Sequence, residues 1–410
     1  MPRPSSARPD PAVIAGVRAT YAAFISTGFI FASWASRIPQ VRDELRLDPA
    51  QLGLVLLAIA AGSLVSLPLS GTAVGRYGSR RTVAFMAVVN AASLGVIAFG
   101  YLVGVVPLVI GLFGFGFAQG AWDVAMNVQG TVAERRLGRA IMSRFHAGFS
   151  VGTVAGALIG AGAVALGIPV WLHLGVIAVL IVVVVPYAVR GFLPDTDETD
   201  AQPTGTAGGR VLAAWREPRT VLIGLFVLAF TFAEGTGNDW TSVAFIDGYG
   251  TSAAIGTLGF AAFLSAMTVG RWFGPAMLDR YGRVVVVRAL ALLGVVGVVL
   301  LVVGGSTPMG FVGSLLWGLG VSLGFPVGMS AAADDPTMAA ARVSVVASVG
   351  YCAFLAGPPL VGFLGHQVGV LQAFTSVAAL LAAAFLLAGN VRTIAVPDQA
   401  DEPLTPSVRE

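Results

Sequence analysis

Long apolar stretches alternate with short polar segments rich in Gly, Pro and Arg along almost the whole chain. Twelve of the stretches reach about 20 residues, the length that an α-helix needs to cross the hydrocarbon core of a bilayer. A helix satisfies its own backbone hydrogen bonds, which lipid cannot do. The stretches lie near residues 16–37, 51–74, 82–103, 107–129, 145–166, 169–189, 219–240, 253–277, 284–304, 309–332, 343–364 and 370–391. The pattern predicts an all-α membrane protein with 12 transmembrane helices.

Composition agrees with this prediction and excludes several classes of protein. Of the 410 residues, 56% are hydrophobic and 11% are charged, and the mean hydropathy is +0.84. Soluble domains carry about 25% charged residues, so the chain has too little polar surface for a water-soluble globule. The single cysteine, Cys352, excludes an internal disulfide and multi-cysteine metal motifs. The basic residues are dispersed, so we expect no nucleic-acid partner despite the pI near 9.3.

The arginines predict the orientation of the helices in the membrane. With the N-terminus inside, 20 of the 24 basic residues, all arginines, fall on the same side, in the two tails, in loops or in the helix ends next to them. Arg37, Arg42 and Arg46 lie in the first loop on the opposite side, and Arg271 lies in the eighth helix. Cytoplasmic segments retain positive charge. We therefore expect a multi-pass protein of a bacterial plasma membrane with both termini in the cytoplasm.

One long polar interruption divides the helices into six and six. Residues 191–218 include an acidic, Thr- and Gly-rich sequence that cannot bury a core. The predicted domains are an N-terminal six-helix bundle (1–190), a cytoplasmic central loop (191–218), a C-terminal six-helix bundle (219–392) and a cytoplasmic tail (393–410).

The two predicted bundles share short motifs in the same order, which indicates an internal repeat. Residues 76–78 (RYG) recur at 280–282, and the glycines at 114, 116 and 120 recur at 318, 320 and 324, both at an offset of 204. After a shorter loop, Arg144 and residues 150–152 recur as Arg342 and 348–350, at an offset of 198. Two pseudo-symmetric halves are the expected architecture.

The loop after the second predicted helix resembles the signature of the major facilitator superfamily. The sequence reads Gly71-x3-Gly75-Arg76-Tyr77-Gly78-Ser79-Arg80-Arg81, and its second copy reads Asp279-Arg280-Tyr281-Gly282-Arg283. The resemblance implies the superfamily fold and a conformational latch at this face. It assigns gating roles to Arg76, Arg80, Asp279 and Arg280. The first copy has Gly75 where the signature has Asp, which weakens the latch on that side.

The fourth predicted helix carries a polar face in an otherwise apolar sequence. Gln119, Asp123 and Asn127 follow one another at four-residue spacing and share this face. An intramembrane carboxylate normally faces a partner or a cavity. His146 of the fifth helix should lie at the same depth as Asp123, so the two side chains either exchange a proton or fix the helices structurally.

This spacing resembles the fourth helix of the fucose/galactose/proton symporter family. The resemblance implies that Asp123 carries the coupling proton with Asn127 as its neighbour. That family's additional acid in the first helix has no counterpart here. The sequences FASWASRIP, DVAMN and SRFHAGFSVG are also similar to a bacterial permease group that includes the rhizopine transporter, which implies inositol-like solutes.

The first and seventh helices supply the remaining candidates for a central site. Asn238 corresponds to Trp34 at the offset of 204, so both should line one cavity, with Trp34 as a stacking platform or as an interfacial anchor. Glu234 is a second candidate for proton coupling. Arg37 is expected to pair with Glu234 or Asp239 as an external gate.

Glycines at four-residue spacing mark the fifth helix, at positions 148, 152, 156 and 160. Small residues on one helix face permit close approach of another helix, so we expect a packing role.

No nucleophile–base motif, metal cluster or nucleotide-binding loop occurs in the sequence. We therefore expect no enzyme activity, no metal and no cofactor. The favoured function is proton-coupled uptake of a small polar solute (a sugar, polyol or inositol) by a monomer in the lipid bilayer. Efflux of drugs or metabolites by proton antiport is one alternative, and a non-transporting membrane sensor is another.

Overall fold

The structure is a computed structural model that describes residues 10–139, 141–195, 207–335 and 337–393. Across these residues the secondary structure is helical, with no strand. The first half contains α1 (Pro11–Ala35), α2 (Ile38–Glu44), α3 (Pro49–Gly100), α4 (Val105–Leu137), α5 (Met142–Ala165) and α6 (Val170–Ala188). The short α7 (Ala207–Trp215) follows. The second half contains α8 (Pro218–Tyr249), α9 (Ala253–Tyr281), α10 (Arg283–Val303), α11 (Thr307–Val321), α12 (Gly324–Ala332), α13 (Ala339–Val368), α14 (Val370–Ala373) and α15 (Thr375–Leu387).

Helix α3 accounts for two of the predicted transmembrane helices. The described residues contain 11 helical stretches long and apolar enough to cross a membrane, and α3 is the longest, with 52 residues. At 1.5 Å per residue it would be about 78 Å long, far beyond the roughly 30 Å of a hydrocarbon core. Gly78 breaks it, with φ 79° and ψ 157°. Its two segments match the second and third predicted helices.

The same turn recurs in the second half and confirms the pseudo-symmetric fold. Gly282 separates α9 from α10 with φ 78° and ψ 159°. Glycine adopts these angles without the steric cost that a Cβ would impose. The glycine of each signature copy thus produces the same reversal in each half, as expected for two related six-helix bundles.

The predicted register between the fourth helices of the two halves is wrong by two residues. A Cβ on Gly116 would collide with the carbonyl of Ile59, and a Cβ on Gly318 would collide with the carbonyl of Phe263. Ile59 and Phe263 are 204 residues apart, so Gly116 is equivalent to Gly318, at an offset of 202. Glycine is so frequent in these helices that the pattern also matches in the wrong register. The difference in residue number between equivalent positions of the two halves therefore falls from 204 to 202 before α11.

Close backbone contact joins α5 to α1. A Cβ on Gly152 would collide with the carbonyl of Ile25, and a Cβ on Gly156 with the carbonyl of Phe29. On α1, a Cβ on Gly28 would collide with the carbonyl of Phe149 in α5. The predicted packing role of the glycine stripe is confirmed. Because α1 is the packing partner of α5, these glycines do not fix α5 against α4.

The two halves close on each other at the end of the molecule farthest from the chain termini, which we call the far end. There α3 meets α13: a Cβ on Gly53 would collide with the Pro358 carbonyl. Arg42 Nη1 lies 2.6 Å from Asp247 Oδ2, and His366 Nδ1 lies 3.8 Å from Asp48 Oδ1. At the opposite, terminal end, no hydrogen bond or ion pair joins the halves among the described residues.

The central loop begins with a segment that packs on the first half. The Asp195 carboxylate accepts a hydrogen bond from the Ser79 backbone N–H at 2.6 Å, directly after the Gly78 break. The buried Gln129 of α4 bonds both to Asp195 and to the backbone of Leu193. A carboxylate therefore does cap the helix that follows the first signature copy, although it comes from Asp195 and not from position 75. Residues 196–206 of the predicted loop and 394–410 of the predicted tail lie outside the described residues.

Candidate functional site

A cavity of about 280 Å³ lies between the two halves. In the first half it is lined by residues of α1, α3, α4 and α5, and in the second half by residues of α8 and α13. Its polar lining consists of Thr27, Ser63, Gln119, Asp123, Thr236, Asn238, Asp239 and Tyr351. Ligand pockets commonly measure about 300–1,000 Å³, so the cavity suits a small solute.

Two residues of the polar face of α4 line the cavity, and the third supports one of them. Asp123 is exposed within the wall. The Asn127 amide donates to Asp123 Oδ1 at 3.2 Å and to the Asp123 carbonyl oxygen at 2.8 Å. Gln119 donates to the Thr27 carbonyl at 3.4 Å, while its own carbonyl oxygen has no partner. The predicted face is present, with Asn127 as the neighbour of Asp123.

Helix α8 forms the opposite wall. Thr236, Asn238 and Asp239 all line the cavity. Thr236 is 3% exposed and its hydroxyl has no hydrogen-bond partner, as is also true of the Asn238 side-chain oxygen. The Asp239 carboxylate has no hydrogen-bond or ion-pair partner among the described residues. These groups are therefore available to a molecule inside the cavity.

Glu234, one turn before Asn238, has a different environment. Arg271 of α9 lies 2.7 Å from the Glu234 carboxylate, and neither residue lines the cavity. Arg271 also donates to the carbonyl of Ser322 at 3.3 Å, where α11 ends and before α12 begins. This ion pair joins α8 and α9 to the interruption between α11 and α12. Glu234 is neutralised by a neighbouring cation, whereas Asp123 and Asp239 are not.

Comparison with protein families identifies the chain. Residues 19–352 match the model of the Major Facilitator Superfamily. The chain belongs to this superfamily. An uncharacterised transporter of Sinorhizobium fredii is 33% identical over 355 residues, covering 85% of this chain and 91% of the relative. An uncharacterised MFS-type transporter of Yersinia pestis is 31% identical over 363 residues, covering 88% of this chain and 92% of the relative.

Solved structures of the Major Facilitator Superfamily share the fold at low sequence identity. The nucleoside transporter NupG superposes with a TM-score of 0.70 at 15% identity, over 92% of this chain and 98% of that structure. The E. coli fucose:proton symporter FucP superposes with a TM-score of 0.61 at 16% identity, over 91% of this chain and 98% of that structure. These structures show that the chain has the superfamily fold, in agreement with the sequence resemblance. The family match and the two transporter relatives show that it is a membrane transporter.

The prediction that Trp34 lines the cavity is wrong in this conformation. Its ring is 2% exposed and belongs to the hydrophobic core. Helix α1 reaches the cavity through Thr27 and Phe31. Trp34 lies beyond them toward the far end, where the halves are closed, so its ring packs against protein and not against a solute.

Arg37 does not pair with Glu234 or Asp239. It is 1% exposed, and its guanidinium donates to His173 Nδ1 at 2.9 Å and to the Ile168 carbonyl at 3.1 Å. These bonds tie the end of α1 to the start of α6 within the first half, so the predicted pairing is wrong in this conformation.

Arg42 and Asp247 form an ion pair that joins the halves at the far end, and this pair was not predicted from the sequence. The sequence feature that pointed to Arg42 was its position in the same arginine-rich loop as Arg37. Because the loop folds into α2, Arg42 and not Arg37 faces the second half.

His146 and Asp123 are not bonded to each other in the described part of the structure. No hydrogen bond or ion pair connects them, and the His146 ring contacts the Phe24 ring edge-on at 5.1 Å between centroids. His146 is exposed, and its role in coupling stays a prediction.

The signature residues predicted to gate the protein lie exposed at the terminal end. Arg76 and Arg280 each stack on the ring of the following tyrosine, at 5.5 and 5.2 Å from the ring centroid. Arg80 and Asp279 are also exposed, and none of the four contacts the other half through a hydrogen bond or ion pair with a described residue. Their gating role stays a prediction that concerns a conformation closed at this end.

Proposed function

We propose that the protein is a proton-coupled secondary transporter in which Asp123 binds the transported proton. The observation that carries the proposal is an unpaired carboxylate in the wall of a central cavity. Asp123 faces this cavity and receives one side-chain hydrogen bond, from Asn127, and no cation lies against it among the described residues. The charge of such a group is expensive in the membrane interior, so the proton is the natural counter-charge when the cavity is empty.

Coupling follows from the effect of this charge on closure of the cavity. Removing the cavity from water raises the cost of an ionised carboxylate. A protonated Asp123 therefore permits closure, and an ionised one opposes it. Glu234 is less suited to this role than the sequence suggested, because Arg271 already compensates its charge at 2.7 Å.

Alternating access around a midplane site provides the transport cycle. The present conformation is closed at the far end by the Arg42–Asp247 pair and the contact between α3 and α13. With both termini in the cytoplasm, as the arginines indicate, the terminal end faces inward, and there no hydrogen bond or ion pair joins the halves among the described residues. The cycle then requires the halves to rock until the signature residues meet at the terminal end and the Arg42–Asp247 pair separates.

The proposed direction is uptake, with solute and proton moving inward together. The orphaned side-chain oxygens of Gln119, Thr236 and Asn238 support a solute with polar groups. Antiport differs in the direction of solute flux under an imposed pH gradient, and a sensor would bind solute without any flux.

The test is solute accumulation in proteoliposomes with the membrane potential held at zero. For one proton per solute, a pH gradient of one unit sustains about tenfold accumulation, because one pH unit is worth about 1.4 kcal/mol. Asp123→Asn should lose this gradient-driven accumulation and keep exchange of solute across the membrane. Full accumulation by Asp123→Asn would overturn the proposal. Glu44→Gln, which removes an exposed carboxylate that does not line the cavity, is the matched control.

A further inference from the structure

The charges that line the central cavity are all negative. Asp123 comes from the first half and Asp239 from the second, and no Arg or His is among the described lining residues. Arg271 and Arg37 make their contacts outside the cavity wall: Arg271 pairs with Glu234, and Arg37 donates to His173 and to the Ile168 carbonyl. The cavity therefore holds two carboxylates and no internal counter-ion.

The two carboxylates differ in their surroundings. Asp123 already accepts a hydrogen bond from the Asn127 amide at 3.2 Å. Asp239 has no partner among the described residues. An ionised carboxylate in such a place needs a donor or a cation to offset its desolvation. If Asp123 takes the transported proton, as proposed above, Asp239 needs a counter-charge of its own, which either a second proton or a cationic group of the solute would supply.

An independent observation also indicates a ligand beside Asp239. Thr236, on the same helix, lines the cavity and is only 3% exposed. Its hydroxyl has no hydrogen-bond partner. The Asn238 side-chain oxygen in the same wall is unpartnered as well. Buried polar groups are almost always hydrogen-bonded in native proteins. The Asn238 oxygen can only accept a hydrogen bond and the Thr236 hydroxyl can accept or donate, so a hydrogen-bond donor on the ligand would satisfy both.

The rest of the lining suits a cation attached to an apolar skeleton. Six aromatic side chains face the cavity: Phe31, Phe115, Phe149, Phe232, Tyr351 and Phe354. Aromatic faces attract ammonium groups and also pack against apolar rings. A neutral sugar would use the oxygens and the rings, but it would leave the Asp239 charge uncompensated.

We propose that the solute carries a primary or secondary ammonium group and that Asp239 is its binding carboxylate, with the Thr236 and Asn238 oxygens as further acceptors. This proposal rests on the proposed function, because it takes the central cavity as the transport site. In the loaded cavity Asp123 carries the proton and Asp239 carries the ammonium group, so both carboxylates are neutralised before the halves close. The proposal replaces the predicted gating role of Asp239 with a role in solute binding.

Paired probes of equal shape test the proposal on the purified full-length protein. 2-Phenylethylamine is compared with 2-phenylethanol, and cyclohexylmethylamine with cyclohexylmethanol, by thermal stabilisation over a concentration series. Each amine should bind at least about tenfold more tightly than its alcohol, because hydrogen bonds to charged groups are stronger than neutral ones. Alcohols that bind as tightly as their amines, or no binding by either class, would overturn the assignment.

Three variants locate the effect. Asp239→Asn should lose the preference for the amines and bind amine and alcohol about equally. Asp123→Asn and the control Glu44→Gln should keep the preference. An unchanged preference in Asp239→Asn would show that another group binds the ammonium and would contradict the proposal, as would a loss of preference in all three variants.

The outcomes separate this inference from the proposed function. If the amine preference depends on Asp239 while Asp123→Asn keeps full gradient-driven accumulation, proton coupling at Asp123 fails and the ammonium site stands. If Asp123→Asn loses accumulation and no probe shows an amine preference, the coupling stands and the ammonium site fails.

Discussion

Helix α4 and its counterpart in the second half, α11 with α12, occupy equivalent positions and have opposite chemistry. Helix α4 is continuous and carries Gln119, Asp123 and Asn127. At the offset of 202 these positions become Val321, Phe325 and Met329, in a helix interrupted between Val321 and Gly324. The interruption frees the Ser322 carbonyl, which Arg271 binds together with Glu234. At this pair of helices, the first half has in the cavity wall a carboxylate with no cation beside it, Asp123, while the second half has the Arg271 contact that neutralises Glu234. The other cavity carboxylate of the second half, Asp239, lies on α8.

The comparison separates the symmetric scaffold from the asymmetric chemistry. Glycine contacts recur in both halves because the same helix pairs must approach closely in each. Charges need no such symmetry, since transport requires one group whose charge changes and a framework whose charges do not.

The largest expected effect comes from filling the equivalent glycine contacts. Gly116→Val and Gly318→Val should each abolish the yield of monodisperse protein, because the new side chain meets a backbone carbonyl that cannot move aside. Gly95→Ala, where a Cβ meets nothing within 4 Å, should be tolerated or stabilised by up to about 1 kcal/mol. Size-exclusion profiles and unfolding midpoints measure both. A normal elution profile for one of the two valine variants and not for the other would contradict the equivalence of the two glycine contacts.

Removing one carboxylate from each half should have unequal effects on stability. Glu234→Gln leaves Arg271 without its ion-pair partner and should destabilise the protein by about 2 kcal/mol, between the values for exposed and fully buried pairs. Asp123→Asn removes an unpaired charge and should leave the unfolding midpoint unchanged or raise it. Thermal unfolding at neutral pH compares the two. Equal losses would mean that Asp123 is as firmly paired as Glu234, contrary to the structure.

The smallest effect concerns acid stability at the terminal end of the second half. Arg342 donates to Glu217 at 2.7 and 3.1 Å and holds the pKa of that carboxyl below its usual 4.5. A lowered pKa in the folded protein gives stability that is present above the unfolded value and is lost as the pH falls through the folded value. Since the Glu217 side chain is partly exposed to solvent, the contribution of this ion pair to the free energy of unfolding should be below about 1 kcal/mol.

Unfolding midpoints between about pH 5 and pH 3 test this contribution. The wild type should lose slightly more stability on acidification than Glu217→Gln, which lacks the titrating group. The repeat equivalent of Arg342 is Arg144, which has no acidic partner among the described residues. Arg144→Gln should therefore leave the acid dependence unchanged, and an equal change in both variants would contradict the assignment to Glu217.

The sequence predicted the fold well because its signals are local and large. The apolar stretches have the length that a bilayer requires, and each of the two RYG turns depends on a single glycine. The register between α4 and α11 was missed because glycines alone cannot distinguish two close alignments. Contact with Ile59 and Phe263 decides it.

The candidate site was predicted in part for a physical reason. An acid in an apolar helix is conspicuous, so Asp123, Asp239 and Glu234 could be found from sequence. Which acid has a cation beside it depends on helix rotation and on the interruption between α11 and α12, and neither is visible in a hydropathy pattern. For this reason the sequence presents both Glu234 and Asp123 as candidates for proton coupling, and it does not show that Arg42 and not Arg37 pairs with the second half.

The most direct test of proton binding at Asp123 is infrared difference spectroscopy of the purified protein during acidification. The wild type should show a carboxylic-acid stretching band that grows as the pH falls, as an unpaired carboxylate becomes protonated. Asp123→Asn should lose a distinct part of this band, and Glu234→Gln, whose carboxylate is held by Arg271, should retain it. Identical difference spectra for the wild type and Asp123→Asn would contradict the assignment of the transported proton to Asp123.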